Sequence, residues 1–229
     1  MKTEKKDQIV RRCICMPSEL HVREAGEGEE PSRTITGYAI MFNTPSEPLW
    51  SDDESEAREE IAPEAVTEDV LNNQKSIVMT MFHDNHLILA RSRNGKGTLS
   101  YRVDDKGVYF EFDAPNTVDG DKALELVRRG DISGCSFAFS TRYYDRDFVE
   151  RRSIIGADGV KHITYRVKAV IGIYDFTLAA NPYYQATSVE ARELADSLKE
   201  GGMTVDKKNE EEMRAQWREL RETAGVPIM

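Results

Sequence analysis

Residues 99–112 read Leu99-Ser-Tyr-Arg-Val-Asp-Asp-Lys-Gly-Val-Tyr-Phe-Glu-Phe112, and this stretch decides the kind of fold. Apolar and polar residues alternate on both sides of the central Asp104–Gly107 segment. Alternation with a period of two is typical of strands with one buried face, and a short polar turn with glycine between two such runs predicts a β-hairpin. We therefore expect sheets in which neighbouring strands run antiparallel.

Further strand patterns occur on both sides of this hairpin. Arg33–Phe42 is rich in β-branched and aromatic residues, and Ile77–Phe82 is a continuous apolar run of the length of a buried strand. Ile154-Ile155, the turn Ala157-Asp-Gly159 and the residues from Ile163 onward predict a second hairpin. The remaining strand-like stretches are 9–16, 133–144 and 163–178.

Helical signals are few and short. The stretch 119–129 predicts a helix that Asp119 or Asp121 caps and that Gly130 ends at the C′ position. Residues 63–72 favour one short helix that begins near Pro63. The acidic stretch 51–60 is interpreted as a surface loop, and residues 188–199 and 206–223 as helices.

These elements predict the α+β class, with a mostly antiparallel core of about six or seven strands flanked by short helices. The strands are too many and too short for a βαβ winding. We expect a mobile N-terminal segment at 1–32, a folded domain at 33–190, and a helical, charged and weakly docked tail at 191–229.

Composition excludes several classes of function. The chain has 229 residues and a net charge of −10, so it lacks the surplus of lysine and arginine that nucleic-acid binding needs. It contains no run of about 20 apolar residues, and the polar stretch 1–12 does not resemble a signal peptide. The three cysteines, at 13, 15 and 135, fit neither a disulfide framework nor a zinc ribbon, which favours a reducing cytoplasm.

Two of the four histidines lie where catalytic groups tend to occur. His83 and His86 directly follow the buried strand 77–82, and loops at strand ends often carry functional residues on a rigid scaffold. His21 falls in the predicted linker and His162 follows a charged turn, so both are interpreted as surface residues. Either His83 or His86 is therefore a candidate general base, and two ordinary loop histidines are the alternative.

A metal site is a second possibility for the same segment. His83, Asp84 and His86 offer three ligands, which would suit a metal-dependent hydrolase. No other cluster at ligand spacing completes the set, and no H-E-x-x-H motif is present. We therefore predict no metal and no cofactor.

Ser136 is the candidate nucleophile. It lies in Gly130-Asp-Ile-Ser-Gly-Cys-Ser-Phe-Ala-Phe139, where small neighbours allow a substrate backbone to approach. Alternation places Ser136 with Ala138, away from the apolar face of Phe137, so that it opens into a cleft. Cys135 is a competing nucleophile, but it falls on the apolar face, where a thiol is inert. The surroundings do not match the G-x-S-x-G elbow of α/β hydrolases.

Asp175 is the candidate third group. It is an acid within the apolar stretch Ile173-Tyr-Asp-Phe-Thr-Leu178, and alternation places it with Thr177, opposite Phe176. Burying an unpaired charge is costly, so a carboxylate there needs a partner, and an imidazolium would be one. A surface-facing aspartate at a strand edge is the alternative.

In order and spacing, these segments together resemble the prohead (capsid-maturation) proteases of tailed phages, over residues 33–190. The segments that carry the resemblance are Thr36-Gly-Tyr-Ala-Ile-Met-Phe-Asn43, Glu59-Glu-Ile-Ala-Pro63, His83-Asp84 followed by Leu89-Ala-Arg91, Gly97-Thr-Leu99, Asp105-Lys-Gly107, Arg129-Gly-Asp-Ile132 before Ser136-Phe-Ala-Phe139, and Asp175-Phe-Thr-Leu178 before Asn181-Pro182.

The resemblance implies a catalytic set and a fold. It identifies His83 as the base, Ser136 as the nucleophile and Asp175 as the third member, although the family often has glutamate at this last position. The family also looks related in fold to the herpesvirus assemblins, which implies a β-barrel-like core ringed by helices. The segment 33–190 would then be the protease domain.

The resemblance further implies a serine endopeptidase of the prohead, inside the immature capsid in the cytoplasm of the bacterial host. Its expected partners are the major capsid protein or its scaffolding segment as substrate, the protease itself through self-cleavage, and another copy in a possible homo-oligomer; nucleic acid and membranes are not expected. A catalytically inactive internal scaffold protein of the same fold is the alternative.

Overall fold

The computed structural model describes residues 10–26, 28 and 30–179 of the chain. This part contains fourteen strands, a 3-10 turn at Pro63–Ala65 and two α-helices. In chain order the elements are β1 (Val10–Pro17), β2 (His21–Val22), β3 (Thr34–Met41), β4 (Trp50–Ser51), β5 (Ser55–Ile61), α1 (Glu68–Asn72), β6 (Ile77–Met81), β7 (Asp84–Arg93), β8 (Lys96–Gly97), β9 (Leu99–Val103), β10 (Gly107–Asp113), α2 (Val118–Arg128), β11 (Gly134–Thr141), β12 (Val149–Ile155), β13 (Lys161–Val167) and β14 (Gly172–Ala179).

The strands form three sheets. The largest has six strands in the order β1-β11-β14-β6-β7-β8, and the two four-stranded sheets have the orders β2-β3-β10-β9 and β12-β13-β5-β4. Most neighbours are antiparallel, and β14 with β6 and β13 with β5 are the parallel pairs of the described strands. The described part of the chain is therefore strand-rich with few helices, as expected for the α+β class. Strand pairing closes none of these sheets, so the barrel-like arrangement is not confirmed.

Aromatic side chains make up much of the core. Phe110 and Phe112 stack with ring centroids 6.1 Å apart, and Phe137 and Phe139 stack at 5.2 Å. All four rings are at most 2% exposed, as is Phe176 of β14. Burying one such ring contributes about 1.5–3 kcal/mol, so these residues fix the sheets against each other.

The central hairpin is confirmed. β9 and β10 pair antiparallel from Leu99 opposite Phe112 to Val103 opposite Val108. Asp104 makes the turn, because its Oδ1 accepts hydrogen bonds from the backbone N–H groups of Lys106 and Gly107. The second predicted hairpin corresponds to β12 and β13.

The helix predicted at 119–129 is α2, with a different cap. Thr117, rather than Asp119 or Asp121, is the N-cap, and its hydroxyl accepts from the N–H of Gly120 at 3.2 Å. Gly130 follows the helix with φ +76°, the left-handed conformation predicted for the C′ residue. The stretch 63–72 is split into the 3-10 turn and α1, because Thr67 begins a new helix by accepting from the N–H of Val70.

The surface loop predicted at 51–60 is wrong. β5 occupies Ser55–Ile61 and pairs with β13 and β4, with Ala57, Glu59 and Ile61 all buried. The alternation of buried and partly exposed residues along β5 was not recognised in the sequence, because one of the inward positions is occupied by an acidic residue, Glu59. That carboxylate is stabilised by a hydrogen bond from the hydroxyl of Tyr143.

The number of strands was underestimated. The stretch 163–178 contains two strands, β13 and β14, that belong to different sheets. The strand-like start at 9–16 corresponds to β1, whose backbone pairs along the whole of β11. The division at residues 32 and 190 stays a prediction, and the helices predicted at 188–199 and 206–223 lie outside the described residues, as does the tail.

Candidate active site

His83 lies in the tight turn that joins β6 to β7. Met81 pairs with Asp84, so Phe82 and His83 are the two central residues of the turn. Both have φ +57°, and positive φ at both central residues is the signature of a type I′ turn. Asparagine and glycine tolerate this conformation, whereas a bulky residue there is strained. Such strain is concentrated at functional sites, where the surrounding structure holds it in place.

Ser136 lies in β11, which is the second strand of the six-stranded sheet, between β1 and β14. Its neighbours across the sheet are Cys15 of β1 and Thr177 of β14, so its backbone is held on both sides. Its Oγ is 2.9 Å from Nε2 of His83. Both faces of β11 are buried, and Ser136 is only 5% exposed.

Asp175 lies in β14, next to β11 in the sheet. It is opposite Ala138 on one side and Val78 on the other, and its Oδ1 is 2.7 Å from Nδ1 of His83. Only 11% of the Asp175 side chain is exposed, compared with 33% for His83. The buried carboxylate therefore has an imidazole partner.

Two contacts from β14 fasten the turn that carries His83. The backbone N–H of Phe82 donates to the carbonyl of Leu178 at 3.1 Å, and the N–H of His83 donates to Oγ1 of Thr177 at 2.8 Å. Sequence reasoning placed Thr177 on the face of Asp175 but did not give it a part in the site. A threonine in a strand is common, and the alternation with Asp175 is the one signal that pointed to it.

The structure separates His83 from His86. His83 contacts Ser136 and Asp175 through its ring, whereas His86 lies exposed in β7, where its backbone N–H donates to Oδ1 of Asp84. Among the described residues, no group of three histidine, cysteine or acidic side chains is arranged to hold a metal ion. The alternative with His83, Asp84 and His86 as ligands therefore finds no support in the geometry.

Cys135 points away from the site. It is fully buried on the opposite face of β11 from Ser136, as alternation predicted. A thiol buried in this way is not accessible to a substrate. Of the two adjacent candidate nucleophiles, Ser136 is the one that contacts the imidazole.

The hydroxyl, the imidazole and the carboxylate form one hydrogen-bonded chain. With its proton on Nδ1, His83 donates to Asp175 and presents an unprotonated Nε2 that accepts the hydrogen bond of the Ser136 hydroxyl. This arrangement, in which a base is oriented by a third group, is the one that hydrolases use to activate a serine. The geometry therefore has the parts that activation of a serine hydroxyl requires.

Comparison with known proteins identifies the family. The sequence model of the caudovirus prohead serine proteases matches residues 18–200, so the chain belongs to this family and is a protease of the phage prohead. It therefore acts within the assembling capsid in the host cell. No helix among residues 10–26, 28 and 30–179 is long and apolar enough to cross a membrane.

One solved structure resembles the chain weakly. The bacteriophage T4 capsid assembly protease aligns with a TM-score of 0.33 and 12% sequence identity, over 75% of this chain and 97% of that one. No curated protein sequence matches the chain.

Proposed function

We propose that this prohead protease is a serine endopeptidase in which Ser136 is the nucleophile, His83 the general base and Asp175 the group that orients His83. The observation that carries the proposal is the continuous hydrogen-bonded chain, with 2.9 Å from Ser136 Oγ to His83 Nε2 and 2.7 Å from His83 Nδ1 to Asp175 Oδ1.

The first half of the reaction forms an acyl-enzyme. His83 Nε2 takes the proton of Ser136 as Oγ attacks the peptide carbonyl carbon, which gives a tetrahedral intermediate. When the C–N bond breaks, the same proton passes from Nε2 to the leaving amine. The carbonyl carbon is then bonded to Oγ as an ester, and the C-terminal part of the substrate departs.

The second half hydrolyses the ester with water. His83 takes a proton from water as its oxygen attacks the ester carbon, and returns it to Oγ as the C–O bond breaks. Through both halves Asp175 holds the imidazole in one tautomer and stabilises the imidazolium without becoming protonated itself.

The proposed substrates are the scaffolding segment of the major capsid protein, or a separate scaffold, followed by the protease itself. Family membership supports the first of these, because a prohead contains those proteins at high local concentration. In this proposal the cut fragments leave the shell, which then expands. We propose that the segment 191–229 either directs encapsidation of the protease or contains the position at which the protease cuts itself.

Mass spectrometry after co-expression tests the proposed function. Wild type and Ser136→Ala are each expressed with the major capsid protein of the same phage, and the intact masses of both proteins are followed over time. We expect the wild type to shorten the capsid protein and itself, and we expect Ser136→Ala to leave both at full length, since removal of the nucleophile costs several orders of magnitude in rate.

Two other outcomes would replace the proposal. Equal cutting in both cultures would assign the cleavage to a host protease. No cutting in either culture, with the chain nevertheless incorporated into proheads, would favour the catalytically inactive scaffold protein. Addition of a chelator is the control for the metal-dependent alternative, and activity that survives it excludes that mechanism.

A further inference from the structure

Thr177 links the strained turn of His83 to the strands that carry the rest of the site. It is fully buried in β14, two residues after Asp175, and lies opposite Ser136 of β11 and Thr80 of β6. Its hydroxyl thus lies between the strand of the proposed nucleophile and the hairpin of the proposed base.

The hydroxyl of Thr177 has two partners. Its Oγ1 accepts the backbone N–H of His83 at 2.8 Å and is 2.7 Å from Oγ1 of Thr80, which is also fully buried. Since Oγ1 has one proton and two lone pairs, both contacts are satisfied at once. The Thr177 hydroxyl is thus the acceptor for the backbone N–H of His83, and this bond contributes to fixing the turn.

The bond is important because the backbone of His83 does not adopt its conformation at low cost. The left-handed region is unfavourable for a residue with a side chain, and Phe82 and His83 are both in that region. Without an acceptor for its N–H, the turn would relax, and the imidazole would move with it.

We infer that Thr177 is a positioning residue for the reaction: β14 holds His83 at two points, the side chain through Asp175 and the main chain through the Thr177 hydroxyl. This inference rests on the proposed function of Ser136 and His83. A displacement of the reacting groups by 1 Å lowers a rate by about 100-fold, so the hydroxyl acts on the chemical step rather than on substrate affinity.

A matched set of three variants tests the inference. Thr177→Val removes the hydroxyl at nearly the same shape, Thr177→Ser keeps the hydroxyl and removes the methyl group, and Thr80→Val removes the neighbouring hydroxyl while it leaves the acceptor for His83. Thermal unfolding of each checks that it is folded, and Thr177→Ala takes the place of the valine variant if that one does not fold.

The first readout is the rate at which a fluorophosphonate probe labels Ser136, separated into the probe's binding constant and its maximal rate. We expect Thr177→Val to lower the maximal rate between about 10-fold and 100-fold with binding unchanged. We expect Thr177→Ser and Thr80→Val to stay within about threefold of wild type, because both keep the acceptor.

The second readout is hydrogen exchange at the His83 amide, measured by NMR. Exchange should be faster in Thr177→Val and remain slow in Thr177→Ser and Thr80→Val, because only the valine variant lacks the acceptor. This measurement does not depend on activity, so it reports on the hydrogen bond even if the proposed nucleophile is wrong.

The outcomes distinguish a failure of the proposed function from a failure of the positioning role of Thr177. If wild type is not labelled at Ser136, the proposed function fails. If wild type is labelled and Thr177→Val reacts at the wild-type rate, the positioning role is overturned. An equal loss in Thr80→Val and Thr177→Val would also overturn it, because the effect would then come from the buried hydroxyl pair and not from His83.

Discussion

At the scale of single residues, the site depends on three side chains from three different strands or turns. His83 is brought by the β6–β7 turn, Ser136 by β11 and Asp175 by β14, and the imidazole bridges the other two through its two nitrogens. The types of these residues and their places at strand ends or among apolar neighbours were visible in the sequence. The distances between them could not be predicted from the sequence, because each pair is separated by at least 39 positions along the chain.

The choice between the two loop histidines is testable by parallel substitution. His83→Ala should lower the rate of capsid-protein cleavage by about 1,000-fold or more, because it removes the base, whereas His86→Ala should stay within about threefold of wild type. His86 is the matched control, since it lies in the same segment and is exposed. Cleavage rates are measured on gels from the purified proteins, and an inactive His86→Ala with an active His83→Ala would contradict the assignment.

The role of Asp175 is tested by a change that keeps its size. Asp175→Asn should reduce the maximal rate by about 1,000- to 10,000-fold, because an amide neither holds the required tautomer of His83 nor stabilises the imidazolium. Asp175→Glu restores the carboxylate and should recover part of the loss. An asparagine variant as fast as wild type in a steady-state cleavage assay would show that the third group is elsewhere.

At the scale of elements, the β6–β7 hairpin carries the clearest conflict between local preference and function. The apolar run 77–82 predicted the strand correctly, yet nothing in it predicted a type I′ turn, since Phe82-His83 is unlike the asparagine–glycine pairs that usually form one. The conformation is imposed by the pairing of β6 with β14 and by the two bonds that fasten the turn. Tertiary contacts therefore override local preference where the site is built.

This conflict predicts a difference in stability between two substitutions of Phe82. Phe82 is 47% exposed and has φ +57°, so Phe82→Asn should be more stable than Phe82→Ala by about 0.5–1 kcal/mol, because asparagine tolerates the left-handed region. Both variants lose the same ring, which makes alanine the matched control. Urea unfolding curves give the free energies, and equal stability of the two variants would contradict the strain in this turn.

At the scale of the whole molecule, the sequence predicted the α+β class, the central hairpin and the buried strand before His83. It did not predict the sheet order, since β14 pairs with β6 in parallel across almost 100 residues. β5 was missed because the carboxylate of Glu59 occupies an inward position, where it accepts a hydrogen bond from the distant Tyr143. Long-range partners of this kind leave no local pattern in a single sequence.

The same long-range pairing explains why the candidate site lies inside the largest sheet. β11, β14 and β6 are neighbours, and their middle residues bring Ser136 and Asp175 next to the turn that follows β6. Rigid strands on both sides of β11 hold the nucleophile, while the turn supplies the base. A site on such elements is positioned by the core of the protein rather than by surface loops.

The most direct test of the central claim is the mass of the protein after reaction with diisopropyl fluorophosphate, followed by peptide mapping. We predict one diisopropylphosphoryl adduct for each chain, formed with loss of fluoride, located on Ser136 and absent in His83→Ala, because an unassisted serine hydroxyl is a weak nucleophile. An adduct on another residue, or none at all in a preparation that still cuts the capsid protein, would contradict it.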